Sequence, residues 1–211
     1  MKILLFGATG MVGSRIAAEA KSRGHQVTAV SRSGKAPLEG VTALSGDAAD
    51  PARVAELAEG HDVVASALAP PRDGSDPRAL FLAVNRTLTE GVRRAGVGRL
   101  AVVGGAGSLL AAPGTALVDT PGFPAAYEGE ARAQGEVLEF YRGVEDPQWT
   151  YLSPAAEIGP GERTGTFRLG GDELLTDADG NSRISAEDYA IAFVDELEGN
   201  AHPRQRFSVA Y

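Results

Sequence analysis

The chain of 211 residues contains no cysteine, and its three lysines all lie within the first 35 positions. The lack of cysteine excludes disulfide bonds, thiolate nucleophiles and cysteine-ligated metal sites. No segment has the roughly 20 consecutive apolar residues that a membrane-spanning helix needs. The apolar run at residues 3–6 is too short for a signal peptide, and no small-residue cleavage site precedes Arg15. We therefore expect a cytoplasmic protein with no membrane partner.

Acidic residues outnumber basic ones, and the formal net charge is -8 at pH 7. A surface of this sign repels phosphate backbones, so we expect no nucleic-acid partner. Hydrophobic residues make up 43% of the chain, which at this length supports one α/β domain rather than two. We expect a single domain over residues 1–211, as a monomer or a homodimer, because apolar helix faces serve a core and a dimer interface alike.

Three glycines, at positions 7, 10 and 13, lie between an apolar strand-like run and a helical pattern at residues 14–21. Glycines let the backbone approach a pyrophosphate closely, and the helix N-terminus favours negative charge. The spacing G-x-x-G-x-x-G is a weak signal alone, but a second strand-like run at residues 26–31 follows at the distance of a βαβ unit. We predict that this loop binds a dinucleotide through Gly7, Ala8, Thr9, Gly10, Met11 and Val12.

The end of the second predicted strand indicates which dinucleotide is bound. An acidic residue there would bind the ribose hydroxyls and repel a 2′-phosphate, whereas this chain has Ser31 and Arg32, followed by Lys35. An arginine can donate two parallel hydrogen bonds to a phosphate, and a serine can add a hydroxyl donor. We predict NADPH as the cofactor, with NADH as the alternative. The competing interpretation is that Arg32 is a solvated loop residue.

The motif G-A-T-G-M-V-G at residues 7–13 resembles the atypical branch of the short-chain dehydrogenase/reductase superfamily. This NAD(P)-binding group includes NmrA-like proteins, biliverdin reductase B and NADH-flavin reductases. Residues 102–109, 151–156 and 174–185 are similar to the bacterial NADH-flavin reductases, and the resemblance runs nearly end to end. It implies a Rossmann-type α/β fold, with a doubly wound parallel sheet and helices on both faces. It also implies NAD(P)H-dependent hydride transfer to a flavin-like or quinone-like acceptor.

The resemblance adds cofactor contacts beyond the first loop. The family places an acidic residue beside the adenine after the third strand, predicted at residues 41–45, which makes Asp47 and its neighbour Ala48 candidates. Alternatively, Asp47 caps the next helix, although Asp50 is the better cap for a helix at residues 51–59. The fourth strand, predicted at residues 61–67, has a small-residue exit that would let the cofactor pass over the sheet edge. These exit residues are Ala67, Leu68 and Ala69.

Two residues are candidates for catalysis. Ser108 follows the predicted fifth strand, where the superfamily commonly places a substrate-binding serine, and its hydroxyl could donate to an oxyanion or a flavin carbonyl. A turn residue is an equal alternative. The superfamily pattern Tyr-x-x-x-Lys would begin at Tyr127, but position 131 holds Ala131, so the lysine that lowers the tyrosine pKa is missing. Flavin or quinone reduction fits better than carbonyl chemistry, because such an acceptor can take its proton from water.

The remaining segments are predicted to surround the substrate. Residues 109–124 lack a helical period, and we expect a functional loop that forms one wall of the substrate pocket through Leu117 and Phe123. After a nucleotide-binding core at about 1–155, residues 156–211 are predicted to form a small substrate-side cap. We expect short strands at 165–169 and 173–176, a helix capped by Ser185 and a closing strand at 205–211.

The acidic segment at residues 177–188 resembles a calcium-binding loop only in part. Its sixth position holds Ser182, where the sharp turn needs glycine, and its twelfth holds Asp188, where a bidentate glutamate is usual. A hairpin turn at Asp179 and Gly180 explains the same residues. We therefore predict no metal site. The other function class that the sequence leaves open is an NADP-sensing regulator that binds the dinucleotide without turnover.

Overall fold

The computed structural model describes residues 1–71 and 74–211. Residues 72 and 73 lie outside the described ranges, in a stretch at 70–77 where prolines and polar residues predict a loop. The described residues form strands and helices that alternate through most of the chain. In order these are β1 (Lys2–Phe6), α1 (Met11–Ser22), β2 (Gln26–Ser31), β3 (Thr42–Ser45), α2 (Pro51–Ala58), β4 (Val63–Ser66), α3 (Arg78–Arg94), β5 (Arg99–Val103), β6 (Leu110–Ala112), β7 (Thr115–Ala116), α4 (Ala125–Arg142), β8 (Gln148–Ser153), β9 (Glu157–Gly159), β10 (Arg168–Gly170), β11 (Arg183–Ser185), α5 (Ala186–Gly199) and β12 (Gln205–Ala210).

The main sheet has the strand order β10-β12-β8-β5-β4-β1-β2-β3. All neighbours pair in parallel except β10, which runs antiparallel to β12 at the edge. The chain moves outward from β1 through β2 to β3, then returns to β4 on the other side of β1. This order is that of a Rossmann fold, and its reversal between β1 and β4 creates the crevice where ligands bind in such sheets. The predicted doubly wound parallel sheet is thereby confirmed.

The core consists of two apolar clusters, one on each face of the sheet. In β1, Ile3 and Leu5 belong to the cluster that packs under α1 and α5, whereas Leu4 and Phe6 belong to the cluster under α2, α3 and α4. Side chains alternate between the faces of a strand, so a strand buried on both faces must be apolar throughout. Each fully buried Leu or Ile contributes about 1.5–3 kcal/mol relative to exposure. This burial fixes the strand ends that carry the cleft.

Two predicted helix caps are present. The Asp50 carboxylate accepts hydrogen bonds from the backbone N–H groups of Ala52 and Arg53 at the start of α2. The Ser185 hydroxyl accepts one from the N–H of Asp188 at 3.0 Å in α5. These bonds satisfy amide donors that a helix leaves unpaired in its first turn.

Several predictions for the region around the cleft were wrong. Residues 109–124 contain the antiparallel pair β6–β7 and a 3-10 turn at Leu117–Asp119, not an irregular loop. The strand predicted at 173–176 is only a single bridge between Glu173 and Leu110. The turn at residues 179–180 does not join a hairpin, because β11 pairs in parallel with β9. Asp177 supports this turn by accepting N–H bonds, at 3.0 Å from Asp179 and at 2.8 Å from Asn181.

Candidate functional site

A cleft of about 1630 Å³ opens at the carboxyl ends of the central parallel strands. Its floor comes from residues 10–13 at the start of α1, 67–70 after β4, 103–107 after β5 and 154–162 after β8. Its outer wall comes from residues 120–124 and the first turns of α4. The topological switch between β1 and β4 therefore lies beneath the cleft, as expected for a dinucleotide site.

The glycine loop at one end of the cleft is tightly packed. Gly7 has a φ of +74°, and a Cβ there would lie 2.4 Å from the carbonyl oxygen of Ala67. A Cβ on Gly13 would lie 2.2 Å from the carbonyl oxygen of Gly7. At Gly10 the nearest atom, the same oxygen, is 3.4 Å away. The loop and helix can thus approach β4 only with glycine at positions 7 and 13.

The N-terminus of α1 faces this cleft without a side-chain cap. Gly10 is the N-cap residue, and the first turn of α1 carries no acidic side chain. Its amide donors and the positive end of the helix dipole are therefore available to an anion. Met11 and Val12 line the cleft, whereas the Ala8 side chain is buried in the core and can offer only backbone groups. These residues fit the pyrophosphate of a dinucleotide.

The two loops predicted to bind the adenosine end lie side by side. The Ser45 hydroxyl donates to the carbonyl oxygen of Arg32 at 3.0 Å, and the N–H of Gly46 donates to the carbonyl oxygen of Ser31 at 3.1 Å. The Arg32 side chain is exposed. Among the described residues, its guanidinium has no hydrogen-bond or ion-pair partner. Because β2 and β3 pair in parallel, the loop that carries Arg32 lies next to the loop that carries Asp47.

Asp47 and Ala48 differ in what they expose. The Asp47 carboxylate accepts the N–H of Ala49 at 2.9 Å, so it stabilises its own turn, while the side chain remains exposed. Ala48 is buried in the apolar cluster under α2. Their contact with an adenine stays a prediction. After β4, Ala67, Leu68 and Ala69 line the cleft, as the sequence predicted.

Tyr127 lies in the first turn of α4, on the outer wall of the cleft. Its side chain is 57% exposed, and its hydroxyl makes no hydrogen bond within the described residues. Leu117 and Phe123 line the same wall. The predicted pocket residues are thus brought together, with an aromatic ring accessible to a planar ligand.

Ser108 does not line the cleft. Its hydroxyl accepts a hydrogen bond from Arg206 at 3.3 Å, and Arg206 is in turn paired with Asp172. The residues before it, Ala106 and Gly107, do line the cleft, but the chain then turns toward β12. The geometry therefore favours the turn interpretation over the catalytic role predicted for Ser108.

Sequence reasoning missed the residue that shapes the loop after β5. A Cβ on Gly104 would lie 2.0 Å from the ring of Tyr151, so the loop packs directly on that ring. The Tyr151 hydroxyl accepts the N–H of Gly105 at 3.2 Å and donates to Gln134 of α4. Burial raises the pKa of Tyr151 above its usual value. Because the side chain is fully buried and does not line the cleft, this phenol positions the loop. The consecutive glycines at positions 104 and 105 were the available sequence signal.

A buried carboxylate organises the cap side of the cleft. Asp188 accepts hydrogen bonds from the hydroxyls of Thr164 and Tyr211 and from the N–H of Gly165. Burial raises the pKa of Asp188, but these hydrogen bonds outweigh burial and leave its pKa below the usual value. Thr164 and Tyr211 both line the cleft, so Asp188 holds two of its wall residues. Apart from the helix cap at Ser185, the sequence offered no signal that Thr164, Gly165 and Tyr211 would all bind Asp188.

The fold and the glycine-lined cleft define a Rossmann-type nucleotide-binding protein. Residues 7–199 match a protein family described as NAD(P)H-binding, and the chain belongs to that family. It is 41% identical to the uncharacterized protein YwnB of Bacillus subtilis strain 168, over 99% of this chain and 98% of that protein.

Two solved structures show the same fold over the whole chain. One, of a protein from Burkholderia pseudomallei provisionally named as exported, is 53% identical, with a TM-score of 0.91 and full coverage of both chains. The other, from Streptococcus pneumoniae, is provisionally named an NADH-flavin reductase. It is 33% identical, with a TM-score of 0.84 over 100% of this chain and 99% of that one. In the described part of the present chain, no helix has the length and apolar character needed to cross a membrane.

Proposed function

We propose that the protein is an NADPH-preferring reductase that transfers hydride to a flavin-like or quinone-like acceptor. The observation that carries the proposal is one continuous cleft with two chemically different ends. One end presents the uncapped N-terminus of α1 behind the glycine loop, and the other presents the wall of Leu117, Phe123 and Tyr127. A dinucleotide and a planar acceptor can therefore lie in contact within the same space.

The protein's contribution is binding and orientation. The amides of residues 11–13 bind the pyrophosphate, Arg32 binds the 2′-phosphate, and the aromatic wall packs against the planar acceptor. NADPH supplies the hydride when bound, and the acceptor completes its two-electron reduction with a proton from water. No lysine stands four residues after Tyr127, so the residues present do not favour a tyrosine acid of the usual superfamily type. The reductase name of the Streptococcus pneumoniae relative supports the flavin class of acceptor.

The decisive experiment measures NADPH oxidation by the purified protein with FMN, with NADH run in parallel. We expect saturable turnover that favours NADPH. If FMN, quinones and tetrapyrroles all fail to support turnover despite tight NADPH binding, the reductase proposal is wrong.

We place the protein in the cytoplasm, where reduced nicotinamide cofactors are available, with no nucleic-acid or membrane partner.

The cofactor preference is tested by Arg32→Ala. Loss of a charge-assisted bidentate contact to the 2′-phosphate should weaken NADPH binding by about 10- to 100-fold, while NADH binding changes little. Titration of both cofactors against the wild type measures this, and the exposed Arg94→Ala serves as a control for net charge. Equal losses for NADPH and NADH would exclude the 2′-phosphate assignment.

A regulator that senses NADP(H) without catalysis is the second candidate. The missing lysine and the position of Ser108 outside the cleft favour it, because neither standard catalytic group reaches the ligand. Such a protein should bind NADPH without reducing any acceptor, and comparison of its NADPH and NADP⁺ affinities would show whether it distinguishes the two redox states. Turnover with any of the acceptors above would exclude it.

A further inference from the structure

One buried side chain on the wall of the cleft has an unused hydrogen-bond donor. Gln134, in α4, lines the cleft although only 6% of it is exposed. Its side-chain oxygen lies 2.9 Å from the Tyr151 hydroxyl, whereas its amide nitrogen donates to no residue that the structure describes. The polar side-chain atoms that are buried without a partner in the same ranges belong to His61, Ser153 and Ser208. The Gln134 nitrogen is therefore unpaired but open to the cleft.

The Gln134 side chain is held in place by the loop after β5. A Cβ on Gly105 would lie 2.9 Å from the Cβ of Gln134 and 3.0 Å from its Cγ, so the side chain packs on the Gly105 backbone. The Tyr151 hydroxyl, which accepts the N–H of Gly105 at 3.2 Å, lies 2.9 Å from Oε1 of Gln134. Because the amide is planar, its NH₂ group is directed away from Tyr151. A donor fixed in this way loses little freedom on binding.

Gln134 lies on the acceptor side of the cleft. Tyr127, Ala131 and Gln134 are spaced i, i+4 and i+7, which places them on one face of α4, and all three line the cleft. Tyr127 is at the exposed end of this face, and Gln134 lies about 10 Å further along the helix axis, at its buried end. A planar acceptor that packs against Tyr127 can therefore reach Gln134 with its inner edge.

Hydride transfer creates the charge that such a donor stabilises. A hydride brings two electrons and one proton to the acceptor, which then carries one additional negative charge until it takes a proton from water. In a flavin or a quinone this charge is delocalised onto a carbonyl oxygen conjugated with the ring. A fixed N–H donor near that oxygen stabilises the anion most strongly where water is excluded. A neutral amide gives up no proton, so it fits a mechanism in which water is the proton source.

We propose that Gln134 is a catalytic residue whose amide N–H donates to a carbonyl oxygen of the acceptor and stabilises the negative charge that hydride transfer places there. The inference rests on the proposed function and adds a requirement to it, because the acceptor must have a carbonyl group conjugated with the position that receives the hydride. Tyr151 is a positioning residue, since it holds the amide and does not line the cleft.

The first test measures binding without turnover, with FMN as the probe. Calorimetry gives the affinity for oxidised FMN in the presence of NADP⁺ and for reduced, anionic FMN in the presence of NADPH, two pairs that cannot exchange hydride. Gln134→Met has a similar length and helix propensity but no donor. We expect it to weaken reduced FMN by about 10- to 100-fold and oxidised FMN by less than about fivefold, because a hydrogen bond to an anion is the stronger one. Gln26→Met, at an exposed position on the opposite edge of the sheet, should change neither affinity.

Steady-state kinetics give a second readout. Gln134→Met should lower kcat with FMN by about 10- to 100-fold, while the affinity for NADPH and the thermal unfolding remain close to wild type. Gln134→Glu keeps an oxygen for Tyr151 but places a carboxylate beside the developing anion, so it should be the slower variant at neutral pH. Its kcat should recover as the pH falls, because a protonated carboxyl donates an O–H. A residue that only packs would show no such recovery.

The opposing outcomes are distinct. Equal losses for oxidised and reduced FMN in Gln134→Met would make Gln134 a packing residue only, and weaker NADPH binding with unchanged FMN binding would assign its amide to the nicotinamide. A wild type that binds neither form of FMN also overturns the proposal. If the affinity for reduced FMN depends on Gln134 but NADPH never reduces FMN or a quinone, the reductase proposal fails and the donor site stands.

Discussion

The three glycines of the first loop are required for different reasons. Gly13 must lack a Cβ because α1 packs against the Gly7 carbonyl, and Gly7 must also adopt a positive φ. Gly10 has an ordinary φ of -73°, and a Cβ there would meet protein only at 3.4 Å. The protein itself therefore tolerates a methyl group at Gly10 far better than at the other two. Close approach of a ligand is the remaining reason for glycine at this position.

The different surroundings of Gly10 and Gly13 allow a test that separates cofactor binding from folding. We expect Gly10→Ala to leave the melting temperature within a few degrees of wild type and to weaken NADPH by at least about 10-fold, because the methyl group enters the space of the pyrophosphate. Gly13→Ala should destabilise the fold by about 1–3 kcal/mol through overpacking. Thermal unfolding and NADPH titration measure both effects, with Gly98→Ala, whose Cβ meets no atom within 4 Å, as the control. Wild-type NADPH affinity in Gly10→Ala would show that the pyrophosphate does not pass over this residue.

At the scale of elements, α1 joins the cofactor side of the cleft to the cap. Glu19 of α1 is only 7% exposed and receives hydrogen bonds from Arg163, in the segment between β9 and β10, and from Arg23. Arg23 also contacts Asp195 and Glu198 of α5. The hydrogen bond from Arg163 lowers the pKa of Glu19, burial opposes this effect, and Arg23 adds to the lowering. The ionised form of Glu19 thus holds three elements together.

The lowered pKa sets the pH dependence of this contact. The Glu19 carboxyl has a lower pKa in the folded than in the unfolded state. It therefore stabilises the fold at pH values above its ordinary pKa of 4.5, and this stabilisation is lost as the pH falls through the pKa of the folded state. We expect Glu19→Gln to reduce the free energy of unfolding by about 1–2 kcal/mol at pH 7, with the difference shrinking below pH 4.5. Urea unfolding at pH 7 and pH 4 measures it. The exposed Glu56→Gln should change little at either pH, and a pH-independent difference for Glu19→Gln would contradict the assignment.

The sequence predicted elements well where long apolar patterns determine them. The limits of β2 were correct, those of β1, β3 and α2 were correct to within one residue, and the caps at Asp50 and Ser185 were found. It failed for β6, β7, β9 and β11, because strands of two or three residues carry no periodicity and form through contacts distant in sequence. The position of Ser108 was missed for the same reason, since its contact with Arg206 joins residues 98 positions apart.

The site as a whole was predictable to the extent that topology determines it. Once the strands are known to be parallel, the residues that follow β1, β2 and β4 must lie along one edge of the sheet, so the cofactor side of the cleft follows from local patterns. The acceptor side combines the wall of Leu117, Phe123 and Tyr127 with residues of the cap, and the cap reaches the cleft only because β12 pairs with β8 and α5 packs on α1 in the folded molecule. Arg183, Thr164 and Tyr211 could not be assigned to the cleft from spacing alone.

The cap is continuous with the main sheet, which predicts how the whole molecule unfolds. Strand β12 lies between β8 and β10, and α5 packs on α1, so the predicted division at about residue 155 cuts through one sheet. We therefore expect residues 1–211 to unfold as one cooperative unit. The single tryptophan, Trp149, is buried in β8 and donates to the Val144 carbonyl at 3.1 Å, so its fluorescence reports on the core.

Thermal unfolding followed by Trp149 fluorescence and by far-ultraviolet circular dichroism should give coincident transitions. NADP⁺ at about 100 times its dissociation constant should shift both by the same amount, equivalent to about 2.7 kcal/mol, because a ligand of the native state stabilises every segment that unfolds with it. If helical signal is lost before the tryptophan signal changes, the cap is a separate unit. NADP⁺ would then stabilise only the second transition, and the cleft would be a junction between two domains rather than a crevice within one.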